Sequence, residues 1–165
     1  MTARLPGFVL LGGAGVYAAL VGAGDVTFNS TPLIIGVAAL AAGLLGRRQR
    51  LVPIGLTLAG WGLAVLLVRD GPLPDDRGAP AYLVGMAVGL LAAHEVARAW
   101  RVPLTGALIS ALAGGLSFYA AYDVEALNRW PLWAAALAVW GVVEVARAPD
   151  AAGPVSSSAA TASAP

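Results

Sequence analysis

Two stretches of the chain, Gly85–Ala99 (GMAVGLLAAHEVARA) and Trp133–Ala148 (WAAALAVWGVVEVARA), end in the same pentapeptide, at Glu95–Ala99 and Glu144–Ala148. In each, a run of Ala, Val, Leu and Gly is closed by an acid and, three residues on, by an arginine. A helix that leaves hydrocarbon for water needs such an ending, because its apolar residues stay in the bilayer while charged ones stop at the headgroups. The rest of the chain has the same character. Of 165 residues, 59% are hydrophobic and 12% charged, and the mean hydropathy is +0.79. A water-soluble domain carries about a quarter charged residues. This chain therefore has too little polar surface to cover a soluble globule, and it reads as an all-α integral membrane protein whose first partner is the lipid bilayer.

Working outward from the two stretches, six apolar segments stand out, at about 7–24, 32–46, 51–68, 80–97, 103–121 and 131–147. Pro6, Pro32, Pro53, Pro80, Pro103 and Pro131 lie at or near their starts. The first turn of a helix tolerates proline, since its missing N–H would be unpaired there anyway. Six prolines thus mark six transmembrane helices. The opening MTARLPGFVLL has one arginine before an apolar run but no small-x-small cleavage site ahead of a polar domain, so it reads as a span and not a signal peptide.

The connections alternate in charge. One side of the membrane receives Arg4, Arg47, Arg48, Arg50, Arg98, Arg101 and Arg147 against Glu95, Glu144 and Asp150. The other receives Arg69, Arg77 and Arg129 against Asp25, Asp70, Asp75, Asp76, Asp123 and Glu125. The excess of arginine on the first side predicts that both termini are cytoplasmic. Residues 149–165, small and polar, cannot bury enough surface to offset chain entropy, and are expected to form a disordered cytoplasmic tail after a transmembrane domain over 1–148.

The shared pentapeptide leads to a repeat. Units at about 5–50, 51–101 and 102–148 each hold a glycine-rich helix, an acidic loop, a proline-opened Ala/Leu/Val helix and a basic end. Their openings RLP, RLVP and RVP also match. Each unit crosses twice, so three tandem two-helix repeats keep one orientation, unlike the inverted repeats of many transporters.

The glycines Gly12, Gly13, Gly15, Gly60, Gly62, Gly114 and Gly115, the loop prolines and the basic ends together resemble the HdeD-like short-repeat membrane proteins of bacteria. That resemblance implies a six-helix protein of the bacterial plasma membrane, associated with acid resistance and without catalytic residues. The SPW-repeat proteins share the two-helix plan, but RWPLW and NSTPL stand where their motif would be.

Few residues offer chemistry. Glu95–Arg98 and Glu144–Arg147 are i,i+3 pairs in the order that suits the helix dipole. They read as helix end-stops, with an ion or proton site at Glu95 or Glu144 as the functional alternative. His94 is the sole histidine and a candidate pH sensor. It points about 100° away from Glu95 on a helix, so the two form no dyad by default. Asp70, Asp75 and Asp76 share a loop that reads as a solvated turn before it reads as a weak cation site. Gly85 and Gly89 form a G-x-x-x-G pair that lets backbones approach, within the chain, in a homo-oligomer or with a partner of a membrane complex.

No ionisable residue lies mid-segment, which counts against ion-coupled pumps. Tyr17, Thr57, Ser110 and Ser117 are the most central polar groups. With no cysteine, no lysine and no phosphate-loop or metal-spacing motif, the sequence points to no enzyme and no cofactor. A net charge of +1 gives no basis for nucleic-acid binding. The function expected is that of a stress-response or accessory membrane protein. The alternative is a small channel or solute transporter with three hairpins around a pseudo-threefold axis.

Overall fold

The computed structural model describes residues 2–72 and 78–148. Asp75, Asp76 and the expected tail at 149–165 lie outside the described residues. Those residues form six α-helices and no strand: α1 (Leu5–Gly22), α2 (Thr31–Leu45), α3 (Leu51–Arg69), α4 (Gly78–Trp100), α5 (Thr105–Ala120) and α6 (Trp130–Ala146). Short 3-10 helices over Thr2–Arg4 and Phe28–Ser30 lead into α1 and α2. Pro6, Pro32, Pro53 and Pro131 fall within the first three residues of their helices, where the missing N–H costs no bond. Pro80 is the third residue of α4, and Pro103 stands two residues before α5. Four spans are long and apolar enough to cross a membrane: Leu5–Gly22, Phe28–Leu45, Leu51–Arg69 and Pro80–Trp100. α5 and α6 are apolar but shorter.

Close antiparallel seams hold five of the helices in the order α6–α1–α2–α3–α4. Along α2 and α3, Gly36 faces Ala59, Gly55 faces Leu40 and Gly62 faces Leu33. Along α3 and α4, a β-carbon on Gly60 would fall 2.7 Å from the Gly85 carbonyl oxygen, and one on Gly89 would fall 2.8 Å from that of Leu56. Ala93 and Ala97 continue the same buried face of α4. Gly7 and Gly141 close α1 on α6. In hydrocarbon the lipid tails are as apolar as leucine, so backbone proximity of this kind supplies much of the dispersion energy that holds helices together.

α5 differs. It is held by side chains instead of a backbone seam: Leu58 reaches Gly114, Met86 reaches Gly115, and Gly106 faces open space. Its anchor is Phe118, buried and in ring contact with Phe28, Trp61, Tyr122 and Trp133 at centroid separations of 5.3–5.7 Å. Successive helices are therefore not all packed alike. α3 and α4 adhere along their length, whereas α5 and α6 meet at Phe118 and Trp133.

Candidate functional site

The described ion pairs lie at the two ends of the bundle. At the arginine-rich end, Arg50 Nη2 donates to both carboxylate oxygens of Glu144, at 2.7 and 2.8 Å. Glu144 is 3% exposed, the one buried acid among the described residues. The pair joins the residue that opens α3 to the last turn of α6, because the seam of Gly7 against Gly141 and Val145 turns Glu144 inward. Its sequence counterpart behaves differently. Glu95 is well exposed and accepts a hydrogen bond from Arg98 at 2.7 Å, one turn along the same helix. His94 is exposed beside it, and both lie off the face of α4 that carries Ala93 and Ala97. The two pentapeptides thus occupy unlike surroundings, one solvated and one tied across the bundle.

At the opposite end, three connections converge on a polar network. Asp70, which caps α3, accepts from Thr27 Oγ1 and, at 2.9 Å, from Asn29 Nδ2. Tyr122, just past α5, donates to Asn29 Oδ1 at 2.8 Å. The Arg69 guanidinium carbon sits 4.6 Å from the centre of the Tyr122 ring. Burial pushes the Tyr122 hydroxyl up to about 12, with the nearby Arg69 charge opposing the shift. Exposed Arg129 and Glu125 pair at 3.2 Å on the same side, and Trp133 Nε1 donates to the Leu127 carbonyl. Among the described residues, no group of three His, Asp or Glu is placed to hold a metal ion.

Two of the central polar groups, Tyr17 and Thr57, are hydrogen-bonded inside the bundle. Tyr17 and Thr31 share a hydrogen bond of 2.8 Å, Thr31 also donates to the Phe28 carbonyl, and Thr57 donates to the Pro53 carbonyl of its own helix. Ser110 borders an apolar crevice of about 150 Å³ between α5 and the α2, α3 and α6 helices, walled by Trp61, Phe118, Trp133 and Trp140. A second crevice of about 160 Å³ separates α4 from α5 beside Tyr82 and Met86. A third, about 420 Å³, opens along α3 and α4 where Gly60 and Gly85 leave the surface bare.

Sequence reasoning singles out Glu144 but pairs it with its neighbour Arg147; it counts Arg50 only among the arginines of one membrane side, and gives Thr27, Asn29 and Tyr122 no part in a site. The arginine shared by the RLP, RLVP and RVP stretches is the one sequence signal that points to Arg50. The fold and site define a class, a bundle of apolar helices with charged groups at its two ends. The chain matches no family model, no curated protein and no solved structure.

Proposed function

We propose that the chain is a multi-pass membrane protein, crossing six times as three tandem two-helix units with both termini in the cytoplasm. It serves as a non-catalytic accessory protein of the stress-response type, on the HdeD-like plan, in a bacterial plasma membrane. The observation that carries this reading is the division of charge along the bundle. Arg50–Glu144 and Glu95–Arg98 sit at one end, and Asp70, Arg129 and Glu125 at the other. Between them the helices expose Leu, Val and Ile: Leu83, Val88, Ile109, Leu112 and Val139 are all more than half exposed. Nineteen residues of α3 rise roughly 28 Å at 1.5 Å each, close to the hydrocarbon thickness of about 30 Å. An apolar surface of that height, capped by polar ends, is stable in a bilayer and a liability in water.

A channel remains the second reading because crevices flank α5 on both sides. Against it, Tyr17 and Thr57 spend their hydroxyls on bonds inside the bundle and line no shared polar path. Two experiments test the function. Cells lacking the protein are expected to lose survival on acid challenge, and unchanged survival across stresses argues against the stress role. Liposomes containing the purified protein are expected to hold ion and solute gradients as empty liposomes do. Protein-dependent leakage would favour the channel.

A further inference from the structure

Three elements meet at one corner of the arginine-rich end. Gly46, after α2, lies against the Pro6 ring at the start of α1, and Gly7 of α1 lies against Val145 of α6. Arg50, at the end of the same turn as Gly46, holds Glu144. The corner therefore gathers Arg47, Arg48 and Arg50 from the α2–α3 turn and Arg147 from the end of α6. Its only acid among the described residues is Glu144, buried and already neutralised by Arg50. Arg47 is exposed and held in a left-handed backbone conformation (φ 52°). Arg147 is exposed one turn beyond Glu144. The other basic turn differs, because Arg98 there is paired with exposed Glu95, leaving Arg101.

The geometry points to a binding site for the headgroup of an anionic phospholipid at this corner. The inference rests on the membrane reading proposed above. Guanidinium groups match phosphate oxygens in charge and in bidentate geometry, and arginines beside a span attract anionic lipid. Apolar surface directly flanks the charges. Leu44, Leu45, Phe8 and Val142, within about a turn of the corner on their three helices, are 54%, 65%, 57% and 56% exposed. A soluble phosphate would meet only the arginines, whereas a lipid also lays its acyl chains on these side chains. The flanking surface therefore selects the lipid.

The test reconstitutes the full chain in nanodiscs made of equal parts phosphatidylglycerol and phosphatidylcholine, and measures the lipids retained on the released protein by native mass spectrometry. The wild-type chain is expected to retain phosphatidylglycerol in excess. R47Q/R48Q/R147Q is expected to lose that excess, by about fivefold for each arginine removed, while R98Q/R101Q keeps it. Raising sodium chloride on the wild-type chain to roughly 0.5 M should also collapse the excess, since screening shortens the reach of exposed charge. This arm decides the matter should the triple variant fail to reconstitute. Inorganic phosphate should displace no more lipid than sodium chloride of the same ionic strength. Equal retention of both lipids, equal loss in the two variants, an excess indifferent to salt, or displacement by phosphate beyond that by sodium chloride would overturn the site. A chain recovered outside the discs would overturn the membrane reading, and the site with it.

Discussion

Arg50 Nη2 reaches both carboxylate oxygens of Glu144 across 94 residues of chain, and so ties the opening of α3 to the last turn of α6. Removing one partner of such a pair leaves the other uncompensated. Arg50 is itself 48% exposed, so water recovers part of the loss. Arg50→Ala is expected to destabilise the protein by about 2 kcal/mol, and Glu144→Gln by less, since it removes the stranded charge. Thermal unfolding of the two variants and their double mutant in detergent should give a coupling energy of about 1 kcal/mol or more. Additive effects would show that the pair contributes nothing as a pair.

The glycine seams predict a position-dependent response to one methyl group. Gly60→Ala and Gly89→Ala place a β-carbon against facing backbone and should cost about 1–3 kcal/mol by overpacking. Gly12→Ala and Gly106→Ala meet nothing within 4 Å and should be neutral or stabilising, by up to about 1 kcal/mol. Unfolding midpoints of the four variants check the contrast, and equal effects at all four sites would contradict the seams.

Tyr122 predicts a pH dependence. Its hydroxyl titrates near 12 in the folded protein, above the ordinary 10.0. Between those values the folded state holds a proton that the unfolded state has released. The stability this represents is whole below pH 10.0 and is lost as pH rises toward 12. Tyr122→Phe should flatten the alkaline fall in unfolding midpoint, and phenolate absorbance should show one late-titrating tyrosine fewer.

Arg101 sits in the left-handed region (φ 55°) directly after α4. A β-carbon there costs roughly 1 kcal/mol that glycine avoids. Arg101→Gly should raise the unfolding midpoint by about that amount, whereas Arg101→Ala should leave it near wild type. A glycine variant no more stable than the alanine one would show that the turn relaxes.

The six helices were legible because proline and hydropathy act locally. Pro6, Pro32, Pro53 and Pro131 announce helix starts without reference to anything distant, and the apolar runs set the lengths. The sites were less legible, because their partners are set by which faces meet. Glu144 has an arginine at the favourable i,i+3 spacing in Arg147, yet the α1–α6 seam turns its carboxylate inward to Arg50. Asn29, Asp70 and Tyr122 are ordinary loop residues until the ends of α3 and α5 bring them together. Nor does any local signal distinguish Gly114 and Gly115, which meet only side-chain tips, from Gly60, which meets backbone.

The absence of cysteine from the chain makes the central claim directly measurable. Single cysteines at Asp25, Gln49, Arg101 and Glu125 can be probed in intact cells with a membrane-impermeant maleimide. A protein that crosses six times with its termini inside is labelled from outside at 25 and 125, and at 49 and 101 only after permeabilisation. Labelling of all four from one side, or recovery of the chain in the soluble fraction, would contradict the account.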